Sequence, residues 1–135
     1  MANSITGIDH GLVGVRDLDA ARDIWARLGF TLTPFGRHKG WGTANYCIMF
    51  EDDYLELIGL VDTSQPSVSL EAALKKKEGL FGVALSSDDA RAAQTSLTEA
   101  GLAPDDISDL SRDVEMPGGG DLLNARFRLV KLPQA

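Results

Sequence analysis

The hydrophobic pattern changes period several times along the chain, and each change marks an element. Ile8–Val15 reads as a strand, carrying Leu12, Val13 and Val15 with two glycines between the apolar positions. Asp17 then opens a helix in which Leu18, Ala21, Ile24, Trp25 and Leu28 recur at spacings of three and four, a single apolar stripe. Gly29 stands just past the last stripe residue, where a left-handed stop is expected. Phe30–Phe35 reads as a short strand, and the glycine-punctuated FGRHKGWG as a loop. Trp41–Phe50 and Tyr54–Leu60 follow as strands of a hairpin around Glu51-Asp52-Asp53.

After a connector over 62–69, rich in Thr, Ser and Pro, the stretch Ser69–Glu78 predicts a helix with lysines toward its C-terminal end, where the helix dipole favours cations. The first pattern then begins again: strand over Leu80–Leu85, helix over Asp88–Ala100, stop at Gly101. Val13-x-Val15 matches Val83-x-Leu85 seventy positions on, and Asp19-Ala20 matches Asp89-Ala90. Gly29-Phe30 matches Gly101-Leu102 if the second helix holds two more residues. Such a repeat implies a duplicated unit whose halves cover each other's apolar faces. The second copy continues with a strand ending near Met116 and another over Leu122–Leu132, and lacks a counterpart of YLELIGL. The glycine run Pro117–Gly120 suits a hairpin turn better than a phosphate loop, since no Lys-Ser/Thr follows it.

Composition narrows the function classes. The chain has 135 residues, 44% hydrophobic and 24% charged, as expected of one globular domain or two small units sharing a core. Its net charge of -7 argues against nucleic-acid binding, which calls for a basic face. No apolar run approaches the ~20 residues needed to span a bilayer, and the N-terminus lacks the basic start and apolar stretch of a signal peptide. A lone cysteine, Cys47, in a strand-like run reads as a buried thiol in a reducing cytoplasm. No membrane partner and a cytoplasmic location are expected.

A duplicated βαβββ unit resembles the vicinal oxygen chelate superfamily: glyoxalase I, extradiol dioxygenases, and bleomycin and fosfomycin resistance proteins. IDHGLVGVRDLDAARDIWARLGF looks like its first strand and helix, and FGRHKGWGTANYCIMFEDDYLELIGL is similar to a glyoxalase-like domain branch. In the second half the similarity lies in FGVALSSDDARAAQTSLTEAGL and ARFRLVKLP. The resemblance implies an α+β fold: two βαβββ-type modules, over 1–65 and 66–135 with the second incomplete, form a bent sheet around a cleft with the helices outside.

It also implies a divalent metal (zinc, nickel, iron or manganese) acting as a Lewis acid on adjacent substrate oxygens. His10 stands at the first ligand position of the family and Glu56 at the second. Alternation puts His10 on one face with Leu12 and Gly14, and Glu56 on one face with Tyr54 and Ile58. A lone histidine in an apolar strand is more often a hydrogen-bonded core residue. A carboxylate between Leu55 and Leu57, by contrast, needs a partner or an open cavity. The second half supplies no nitrogen ligand, because no histidine follows His38 and Leu80 replaces His10 in the repeat.

In the loop reading of Arg37–Gly42, Arg37 and Lys39 suit a solvated turn, and His38, Trp41 and Asn45 are candidates to hold a substrate at the cavity mouth. Glu56 and His38 are the groups able to move a proton. The expectation is a metal-dependent enzyme of lyase, isomerase or dioxygenase type acting on a small oxygen-rich molecule. The alternative is a metal-free protein that sequesters a small compound. An uncovered sheet edge near 122–132 predicts a homodimer, unless the chain is part of a longer protein that supplies the last strand.

Overall fold

A computed structural model describes residues 4–67, 69–114, 120 and 122–132. The expected turn at Pro117–Gly120 lies outside them except for Gly120.

The first strand, β1 (Ile5–Val15), leads into helix α1 (Leu18–Arg27) through Asp17, whose carboxylate accepts the Ala20 N–H at 2.9 Å. Gly29 then takes φ 99°, a backbone angle that stops the helix and that L side chains rarely adopt. Phe30–Phe35 does not form the expected strand. It runs beside the later strand with one bridge, Leu32 to Ile48, and Pro34 has no N–H to continue a ladder. The short strand falls instead on β2 (Gly36–His38), inside the stretch expected to be a loop.

The hairpin strands β3 (Thr43–Met49) and β4 (Tyr54–Leu60) are antiparallel and in register from Thr43–Leu60 to Met49–Tyr54. Helix α2 (Leu70–Lys76), strand β5 (Gly79–Ser87), helix α3 (Ala90–Glu99, capped by Asp89) and strands β6 (Ser108–Val114) and β7 (Leu123–Leu129) complete the order.

The strands make one curled sheet in the order β5-β1-β4-β3-β2-β6-β7, an α+β half-barrel as the sequence implied. Only β1 and β4 run parallel; the other neighbours are antiparallel. The second copy of the repeat therefore straddles the first, with β5 at one edge and β6–β7 at the other.

The two sheet faces differ in kind. One carries Val13 and Val15 of β1, Leu57 of β4, and Ala44 and Tyr46 of β3, packed against Leu18 and Ala21 of α1 and against Trp25. Full burial of a side chain of Val or Leu size contributes roughly 1.5–3 kcal/mol. Tyr46 also donates its hydroxyl to Asp19 at 2.8 Å, which ties α1 to β3. The opposite face is the inner one and collects polar groups. At one end of it α2 approaches so closely that a Cβ on Gly14 would lie 3.1 Å from Leu70 Cδ1 and 3.4 Å from Leu74 Cδ2.

Candidate active site

Cross-strand register puts the candidate residues on the inner face. His10 pairs with Tyr54 and Leu12 with Glu56 between β1 and β4. Glu56 pairs with Cys47, Gly36 with Asn45, and His38 with Arg112 across β2–β6. Residues directly opposite each other project to the same side of a sheet, so His10, Glu56, Asn45, His38 and Arg112 share one face across five strands.

Glu56 is its centre, only 5% exposed. The Asn45 amide donates to Oε2 at 2.5 Å. His38 Nε2 faces the same oxygen at 3.6 Å, and His10 Nε2 faces Oε1 at 3.9 Å. Burial pushes the carboxyl's pKa up, but the nearby His38 imidazole, the Asn45 hydrogen bond and the His10 charge more than offset this and hold it below the ordinary carboxylate value. Glu56 is thus ionised at neutral pH. Tyr54 moves the other way: burial first, then the Glu56 and Asp9 charges, push its hydroxyl well above the ordinary tyrosine value.

Each imidazole is oriented from behind. His38 Nδ1 lies 2.8 Å from Thr43 Oγ1, and Thr43 is 1% exposed. His10 Nδ1 lies 2.6 Å from Asp9 Oδ2, and the ring stacks on Tyr54 with centroids 4.4 Å apart. Asp9 reaches its neighbour because the β1–β5 register slips between Ile8 and His10. A carboxylate at Nδ1 leaves Nε2 directed at the cavity, the arrangement that also orients metal-bound histidines.

His10, His38, Asn45 and Glu56 are therefore brought together. Trp41 stands outside this cluster, half-buried in the turn before β3, where its N–H meets His38 O at 3.3 Å. The loop reading of Arg37 and His38 is corrected: both lie in β2, His38 is 4% exposed, and it sits within the sheet rather than at a mouth. The glycine that suggested a turn has another task. A Cβ on Gly36 would stand 2.5 Å from Asn45 Oδ1, so the missing side chain makes room for the amide. The turn itself falls at Gly40, with φ 76°. Cys47 is fully buried, as its apolar run suggested.

Among the described residues no group of three or more His, Cys, Asp or Glu side chains is arranged to hold a metal ion. What the site offers a divalent ion is a pair, His10 Nε2 and Glu56 Oε1, suitable in chemistry and oriented by Asp9.

Sequence reasoning passed over Arg112. The signal was there: in β6 the row Leu110, Arg112, Val114 is apolar but for the arginine. Its Nη1 approaches Cys47 Sγ at 3.3 Å. Cys47 answers with a thiol that burial pushes up, the nearby Arg112 offsetting only part of this.

No helix among the described residues is long and apolar enough to cross a membrane. No curated protein matches the chain. Solved structures do. Methylmalonyl-CoA epimerase from Mycobacterium tuberculosis is 20% identical, with a TM-score of 0.68 over 85% of this chain and 82% of that one. A variant methylmalonyl-CoA epimerase of Streptomyces coelicolor, in complex with 2-nitronate-propionyl-CoA, is 20% identical with a TM-score of 0.65 over 83% and 86%. A hypothetical protein from Staphylococcus aureus is 17% identical with a TM-score of 0.73 over 94% of this chain but 52% of that one, so this chain spans about half its length. At these identities the likeness is one of fold. The family is given by the sequence itself, whose residues 8–135 match the model of the glyoxalase-like domain, and the chain belongs to that family within the vicinal oxygen chelate superfamily.

Proposed function

We propose that this protein is an isomerase- or lyase-type enzyme that moves a proton at a carbon beside a carbonyl of a small oxygen-rich molecule. Glu56 takes and returns the proton. The observation that carries this reading is the buried carboxylate with an imidazole nitrogen facing each of its oxygens, at 3.9 Å and 3.6 Å. A carboxylate in that position is ionised and ready to accept. A substrate that displaces His38 or Asn45 from Oε2 removes the groups that depress its basicity, so the base strengthens when the substrate is in place. Asp9 and Thr43 keep the two imidazoles aligned, and each ring can stabilise charge on its own side of the carboxylate. A divalent ion, when bound, would be held by His10 Nε2 and Glu56 Oε1 and supplies Lewis-acid polarisation of adjacent substrate oxygens. The epimerases of similar fold are named for a reaction that changes the configuration at one carbon, which is in keeping with this chemistry.

The test is isotope exchange. Methylmalonyl-CoA and pyruvate are incubated with the protein in heavy water, with and without added divalent metal, and C–H loss is followed by NMR. Glu56→Gln keeps the shape of the site and is expected to lower the exchange rate about a hundredfold or more. A Glu56→Gln protein as active as the wild type refutes the assignment. Sequestration without chemistry is the second reading. It is favoured by the 2.5 Å hydrogen bond from Asn45, which occupies an oxygen that proton transfer needs. Tight binding with no exchange decides for it.

A further inference from the structure

Arg112 is a cation on this inner face that makes no direct ion pair among the described residues. Its Nε is buried and, among the described residues, has no hydrogen-bond partner. Its Nη1 reaches only a sulfur, and its guanidinium stands over the Phe127 ring at 5.8 Å. Cys47 does not neutralise it, because burial keeps that sulfur a thiol, a weak acceptor. Glu56 lies on the same face, but its oxygens are already engaged by Asn45, His38 and His10.

Burial disfavours the guanidinium, but the Cys47 contact and charges that include Glu56 more than offset this. What stays unmet is the buried Nε donor, which is costly unless a ligand completes it. The planar fork suits one kind of ligand best, an oxyanion that accepts in parallel from Nε and a terminal nitrogen. The Phe127 ring accounts for one face of the guanidinium, but not for a buried Nε without a partner.

We infer that Arg112 is the anion-binding residue of the inner face and that the ligand of this protein carries a carboxylate, held there while the rest of the molecule meets Glu56. The inference rests on the site described under the proposed function and names the substrate class for it. Register supports the pairing of roles. Arg112 stands directly opposite His38, whose Nε2 faces Glu56, so the guanidinium and the carboxylate lie on one face with His38 between them in the register.

The experiment is thermal melting with pyruvate and malonate, set against their uncharged methyl esters. The variants are Arg112→Met, which keeps the stem and removes the charge, Arg112→Lys, which keeps the charge and loses the fork, and Glu56→Gln. The acids are expected to raise the melting temperature of the wild type and the esters to leave it unchanged. Arg112→Met loses the shift, with dissociation constants weaker by roughly tenfold or more, and Arg112→Lys keeps a smaller one. Without ligand, Arg112→Met is expected to melt in one cooperative transition like the wild type, which shows that lost binding is not lost folding. Equal shifts by acids and esters, an unchanged shift in Arg112→Met, or no shift in the wild type overturns the inference. Glu56→Gln separates the two ideas: an acid-induced shift that depends on Arg112 and persists without Glu56 leaves the anion site standing even where isotope exchange fails.

Discussion

Replacing Gly36 with alanine should disable the site from a position that touches no substrate. The added Cβ would stand 2.5 Å from Asn45 Oδ1, well inside van der Waals contact. β2 is held on both sides, by β3 and β6, so its backbone has little freedom to retreat. The Asn45 amide must move, although it is fully buried and bonded to the Glu56 carboxylate. A hydrogen bond to a charged group contributes about 1.5–3 kcal/mol. Gly→Ala at a residue without positive φ returns about 0.4–1 kcal/mol by restricting the unfolded chain. The net loss is then about 1–2 kcal/mol, a fall in melting temperature of roughly 5 °C for a domain of this size. A double-mutant cycle supplies the assay: Gly36→Ala, Asn45→Ala and both together, by calorimetry or urea unfolding. With Asn45 truncated, the next neighbour of the Cβ is the Arg112 stem at an ordinary 3.8 Å, so Gly36→Ala should become neutral or stabilising. If it costs as much in the Asn45→Ala background as in the wild type, the steric argument is wrong.

Two further outcomes follow from the same contacts. In chelator-treated protein, the lowered Glu56 pKa contributes stability that is fully present above the ordinary carboxylate range and is lost as the pH falls through the depressed folded value. The acid limb of a melting-temperature profile should therefore be shallower for Glu56→Gln, and an identical limb would show the carboxylate to be unperturbed. Tyr46→Phe removes the hydroxyl that Asp19 accepts at 2.8 Å and should cost about 1 kcal/mol, read by urea unfolding. No change would mean that α1 is held by its apolar contacts alone.

Much of the fold was open to inspection in one dimension because its signals are local. The Asp17 cap, the Gly29 stop and the apolar stripe of α1 act within a few residues of each other. The alternation of Tyr54–Leu60 gave the bounds of β4 and the face of Glu56. The repeat over Val13–Val15 and Val83–Leu85 marked the duplicated unit. Where the reading slipped, a residue was answering to a partner far along the chain. Gly36 was taken for a loop glycine, but it makes space for Asn45, and β2 exists because β3 and β6 give its backbone groups partners.

The sequence by itself singled out His10, Asn45 and Glu56 as polar groups set in strand-like apolar runs, where burial demands a purpose, and His38 as a group in an expected loop. Only the tertiary structure decided that they meet. The sheet curls and pairs β1 with β4 in parallel, which sets one imidazole against Oε1, while β2 beside β3 sets the other against Oε2. It also brought Arg112, seventy-four positions beyond His38, into register with it. Cross-strand pairing is a choice among many registers that nearly balance locally, and it is settled by the burial of a whole face at once. No window along the chain contains that sum.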